Sequence, residues 1–133
     1  MRVIPIILAG AAVLGACSST PDPARAQRDA ARLQQALAGR TAGSPATCLP
    51  SYRSGNLMIL DNGTLLFRDG RTIWVNRLAE GCARAGTLGY ALVTRSFGGL
   101  GLCRGDIVQL VDTSSGMLGG SCTIGEFVPY RRP

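Results

Sequence analysis

The chain has no histidine and no lysine, and only seven of its 133 residues are aromatic. Without histidine, a Ser-His-Asp or Cys-His pair has no base, so nucleophilic catalysis of that kind lacks its proton acceptor. Imidazole ligands for zinc are missing too, and no two cysteines stand at C-x-x-C spacing, so neither a metal nor another cofactor is expected. The absence of lysine makes all 14 basic residues arginine, against 8 acids, for a formal net charge of +6. These arginines form no dense run, which argues against nucleic acid as a partner and for an evenly charged, solubilising surface. Weak attraction to an anionic lipid or cell-wall polymer is the sharper alternative. A long apolar stretch is also lacking. The run from Val3 to Ala16 covers 14 positions, short of the ~20 that a helix needs to cross a hydrocarbon core.

That run ends in Leu14-Gly15-Ala16-Cys17. An aliphatic residue, two small residues and a cysteine after an apolar stretch resemble the lipobox of a bacterial lipoprotein. The resemblance implies a signal peptide over 1–16, cleavage before Cys17 and acylation of that cysteine. Ser18 in the next position implies the outer membrane, with the body of the protein facing the periplasm. The mature chain would be Cys17–Pro133, 117 residues with 13 arginines, the size of one small domain. Once Cys17 is assigned to lipid, Cys48, Cys82, Cys103 and Cys122 remain. An even set in an oxidising compartment reads as two disulfides. Of three pairings, a single up-and-down sheet favours Cys48–Cys122 with Cys82–Cys103, since the first bridge then joins the two ends of a curling sheet.

Residues 17–47 read as a tether containing a helix over about 23–38. Asp22 is placed to cap it, Pro23 suits its first turn, and Gly39 ends it. Its apolar stripe (Ala26, Ala30, Leu33, Leu37) is thin, so loose packing and a spacer role are expected. From Cys48 short apolar runs alternate with glycine. Leu57–Leu60, Leu65–Phe67 and Ile73–Leu78, separated by Asn62-Gly63 and Asp69-Gly70, predict a three-stranded meander. Leu88–Thr94 and Ile107–Val111 add two strands, and an irregular sixth is expected between Cys122 and Val128. The fold class is therefore mainly β: a small antiparallel meander of five or six strands over 48–130. Apolar runs without clean alternation imply that both faces are partly covered, as in a strongly curved sheet or small barrel with the helix across one opening. Residues 131–133 form a short basic tail.

Leu60-Asp61, Leu65-Leu66-Phe67, Leu78 with Cys82, Cys103-Arg104-Gly105-Asp106 and Cys122-Thr123-Ile124-Gly125 together resemble a group of small exported proteobacterial proteins without an assigned activity. The resemblance covers roughly 48–128 and implies a fold and a location, with no site residues to carry over.

Carboxylates are the remaining catalytic candidates: Asp61, Asp69, Glu80, Asp106, Asp112 and Glu126. The four aspartates sit at turn positions, and Glu126 reads as a paired surface residue. Gly98-Gly99-Leu100-Gly101 lacks the Lys-Ser/Thr ending of a phosphate loop and reads as a hairpin tip. Arg104-Gly105-Asp106 reads as a turn constrained by Cys103. Trp74, Tyr52, Tyr90, Arg104 and Asp106 form the candidate binding surface, although Trp74 between Ile73 and Val75 suits a core better. The expected function is a non-catalytic outer-membrane lipoprotein acting as a structural or binding module, joined to membrane lipid through Cys17 and to an envelope protein or cell-wall polymer. The alternatives are a carboxylate-dependent envelope hydrolase and a periplasmic protein-inhibitor domain.

Overall fold

In a computed structural model, residues 22–50, 56–60, 63–79, 82, 85–87, 89–95 and 101–133 are described. They form α1 (Pro23–Leu37) and the strands β1 (Thr41–Ala42), β2 (Leu57–Leu60), β3 (Thr64–Asp69), β4 (Thr72–Arg77), β5 (Tyr90–Arg95), β6 (Ile107–Asp112), β7 (Leu118–Thr123) and β8 (Phe127–Arg131). The class is mainly β, as the sequence predicts. All pairings are antiparallel, in a five-stranded sheet of order β1-β8-β4-β3-β2 and a three-stranded sheet of order β5-β6-β7.

The expected meander exists as β2-β3-β4, and β3 and β4, both interior to the five-stranded sheet, are buried on two faces. In β3, Leu65 and Phe67 enter one core while Leu66 enters another; in β4, Trp74 goes to the first and Ile73 and Val75 to the second. This is why the apolar positions come in runs. The larger core lies between the two sheets, with Val108, Leu110, Cys122 and Ile124 packed against Leu65, Phe67, Trp74 and Phe127. Phe67 and Phe127 meet edge to face at 5.9 Å between ring centroids, the preferred geometry for an aromatic pair. Leu33, Ala36 and Leu37 of α1, with Tyr130, close the smaller core over Leu60, Leu66, Ile73 and Val75.

Several expectations are corrected. The sheets do not close into a barrel, and α1 covers a sheet face rather than an opening. After β4 the chain leaves the first sheet, builds the second from β5, β6 and β7, and returns as β8 beside β4. The irregular sixth strand is in fact two, β7 and β8, interrupted at Ile124-Gly125-Glu126. The segment read as a tether contributes to the folded body. Asp22 caps α1 by accepting from Ala24 N at 3.0 Å, and β1 pairs with the end of β8. Arg131, assigned to a tail, closes β8.

The return from β7 to β8 hangs on Asn76, which is fully buried. Its Nδ2 donates to the carbonyls of Gly125 (2.8 Å) and Glu126 (3.1 Å), and its Oδ1 accepts from Gly125 N (3.2 Å). A Cβ at residue 125 would stand 2.4 Å from the Arg77 carbonyl oxygen, so only glycine lets the two backbones approach this closely.

The disulfide pairing is also corrected: Cys48 joins Cys103, and Cys82 joins Cys122. The expected pairing presupposed one continuous sheet. Instead the segment after β1 runs along the seam, where Cys48 and Cys103 are antiparallel bridge partners with Cα atoms 4.0 Å apart. Leu49 N donates to Leu102 O and Arg104 N to Thr47 O on either side. Cys82, just beyond β4, meets Cys122 on β7 and so ties the first sheet's exit to the second sheet.

Each bridge closes a long loop, with sequence separations of 55 and 40, corresponding to about 4 kcal/mol of unfolded-state entropy apiece. Cys82 and Cys122 are buried in the core and Cys48 is exposed. Replacing Cys82 and Cys122 by serine should therefore lower the denaturation midpoint more than the same change at Cys48 and Cys103, despite the shorter loop. Peptide mapping without reduction should recover Cys48–Cys103 and Cys82–Cys122 peptides. Asn76→Leu leaves one buried N–H and two carbonyls unpaired and should cost about 3 kcal/mol or more in denaturant unfolding.

Candidate binding clefts beside the helix

A helix with its side chains is ~10–12 Å wide, whereas five strands at ~4.8 Å spacing span about 20 Å. α1 therefore covers the middle of the five-stranded sheet and leaves a cleft on each flank. On the β2 side, Arg32, Gln35 and Ala36 of α1 face Met58 of β2 and Arg68 of β3 across an open cleft of about 610 Å³. The register sets this lining. Met58 lies opposite Leu66, which points under the helix, and Arg68 lies opposite Ile73 on the same face. Arg32 has the Asp29 carboxylate 3.7 Å away, and Asp29 is itself buried. Two guanidinium groups beside exposed Met58 suit a ligand that combines an anionic group with an apolar portion.

On the β8 side the cleft is smaller, about 290 Å³, and is lined by Leu33, Leu37, Val75, Val128 and Tyr130 together with Arg77 and Glu126. Glu126 is half-exposed and accepts from Arg104 Nη1 at 2.8 Å, so its expected pairing with a surface cation is present.

The structure does not gather the described members of the candidate binding surface into one patch. Trp74 is a core residue between the sheets. Tyr90 is half-buried, its ring lying over Gly119. Arg104 is exposed at the seam beside Cys103, and Tyr52 lies outside the described residues, as do Cys17 and Gly98–Leu100. Asp106 is buried and holds its own turn: Oδ2 accepts from Cys103 N at 2.8 Å, and Asp106 N donates to Cys103 O at 3.1 Å. Gly105 takes φ +91° in this turn, the left-handed value that the third residue of a type II turn requires. The Arg-Gly-Asp segment is thus a cross-linked corner.

Of the other carboxylates, Asp112 also holds a turn. Asp69 is exposed at the end of β3, paired with Thr72 across the Gly70-Arg71 turn, and Asp61 and Glu80 lie outside the described residues. Among the described residues no group of three or more His, Cys, Asp or Glu could hold a metal ion. Asp112 organises the β6–β7 hairpin. Its Oδ1 accepts from the Ser114 hydroxyl and from the N–H groups of Ser115 and Ser114.

Both clefts were missed from the sequence, because their lining joins a helix thought to be a spacer to strands 20 or more residues away. The one available signal was the Leu33/Leu37 stripe, which was too short to reveal how firmly the helix seats.

The bonds to Asp112, led by the Ser114 hydroxyl and followed by the Ser115 and Ser114 N–H groups, lower its pKa from 3.8 to about 2. Its carboxylate therefore favours the folded state above about pH 4, and this contribution disappears as the pH falls toward about 2. Carboxyl-resolved NMR titration should place the Asp112 midpoint near 2, and Ser114→Ala should move it upward. Comparison with known proteins matches the chain to no family model, no curated protein and no solved structure.

Proposed function

We propose that this protein is a non-catalytic binding module of an oxidising envelope compartment, attached to the outer membrane through acyl chains on Cys17 and receiving its partner on the α1 face of the five-stranded sheet. The observation that carries this reading is the pair of disulfides. All four cysteines beyond the lipobox are consumed in them, a pattern suited to exported proteins and rare in reducing compartments. With Cys48–Cys103 at the seam and Cys82–Cys122 between the sheets, the platform beneath α1 is braced for rigid presentation of a surface.

Its binding character is supported by the cleft that Arg32 and Arg68 share with Met58, which combines two permanent cations with an apolar wall. The non-catalytic reading is supported by the use already made of the described carboxylates near the seam and the hairpin. Asp106 and Asp112 hold turns, and Glu126 holds Arg104. Two acyl chains give stable membrane attachment where one gives only reversible binding, so a lipidated Cys17 would suffice as the anchor; among the described residues no helix is long and apolar enough to cross a membrane.

Metabolic labelling with a fatty-acid analogue should mark the wild-type chain and co-fractionate it with the outer membrane. Cys17→Ala should lose the label and either keep residues 1–16 or leave the membrane fraction. A Cys17→Ala chain that is still processed and fractionates like wild type would rule out this attachment.

A further inference from the structure

The arginines look evenly scattered along the sequence, but the fold brings five of them to one end of the five-stranded sheet. The β1–β8–β4–β3 register places Thr41, Arg131, Thr72 and Asp69 in a single row at that end. Arg71 sits in the turn beside Thr72, Arg132 follows Arg131, and Arg68 is one position inward, level with Ile73 and Tyr130. Arg40 arrives from the C-terminal end of α1, and its Nη1 donates to the Arg71 carbonyl oxygen, fixing the hairpin tip to the helix end. Arg68, Arg71, Arg131 and Arg132 are all exposed, and among the described residues none has a carboxylate within 4 Å. The opposing charge in these segments is Asp69, the last residue of β3.

We propose that this arginine end is a docking surface for a carboxylate-bearing polymer of the cell envelope. A polyanion is indicated because the cations come from three separate segments and gather where the ends of neighbouring strands meet. Such an arrangement meets repeated charges better than a single small anion. Guanidinium groups bind carboxylates through paired N–H donors and stay charged at any physiological pH.

The choice of polymer over the anchoring membrane follows from the direction of α1. Its 15 residues span ~22 Å, and its C-terminal end adjoins the arginine end. Its N-terminal end lies at the other end of the sheet, where Arg25 Nη2 donates to Gly86 O in the connection that leaves β4 after Arg77. A chain anchored ahead of α1 therefore presents the arginine end away from its own membrane. That last step rests on the attachment proposed above; the polyanion-binding surface itself does not.

The test uses the full chain purified in neutral detergent, so that it reads the surface whether or not Cys17 is acylated. Co-sedimentation with isolated peptidoglycan, whose stem peptides carry free carboxylates, should show saturable binding that weakens as salt rises. Carbodiimide amidation of the peptidoglycan carboxylates should abolish it for the unaltered protein. At low salt each arginine at an anionic surface is worth roughly fivefold in affinity, so Arg71→Gln with Arg132→Gln should weaken binding by about 25-fold. Arg28→Gln with Arg95→Gln, an equal change in net charge placed elsewhere, should leave it within about twofold of wild type. Equal loss in both pairs, or undiminished binding to the amidated polymer, would overturn the proposal. Tighter binding to vesicles of anionic phospholipid than to peptidoglycan would overturn the choice of polymer. Failure of Cys17 acylation, by contrast, would leave the binding result standing and remove only the orientation.

Discussion

Asn76 makes three hydrogen bonds to backbone 49 and 50 residues downstream, and the relation between the two sheets depends on them. A buried amide left unpaired is costly, so the Gly125–Glu126 segment must lie against the end of β4. Once it is there, β8 can start only beside β4, and β7 must end just above the core that Phe127 fills. Glycine at 125 is the steric half of the same constraint, since no side chain fits against the Arg77 carbonyl.

The disulfides brace that joint rather than create it. Cys122 lies two residues before Ile124, and its bridge to Cys82 fastens the chain where it enters the second sheet and where it leaves it. Cys48–Cys103 fastens the seam next to the turn built by Asp106. The two closed loops overlap along the chain, so most of the β domain is constrained between them. This leaves the α1 face, with its two clefts, and the arginine end as surfaces presented by a fixed scaffold.

Charge is distributed differently in space than along the chain. Arg40, Arg68, Arg71, Arg131 and Arg132 come together because β8 inserts next to β4 and brings the C-terminal residues to the β3–β4 turn. Had the chain ended as the outer strand of a simple meander, Arg131 would lie away from Arg71. A surface that looks merely solubilising in sequence thus becomes a cluster of cations at one sheet end.

The sequence by itself determined what local chemistry decides. Asp22, Pro23 and Gly39 bound the helix, and the glycine-punctuated runs set the β2-β3-β4 meander. Unbroken apolar stretches in β3 and β4 signalled strands covered on both faces, and four cysteines signalled two bridges. Their pairing, the division into two open sheets, the seating of α1 and the position of β8 were decided only in three dimensions. Each depends on contacts between residues far apart in the chain, such as Asn76 with Gly125, Cys48 with Cys103 and Leu37 with Val75. Neither partner in such a pair carries a local mark of the other. An asparagine next to an apolar run looks like a turn residue until the backbone it clamps has folded back to meet it.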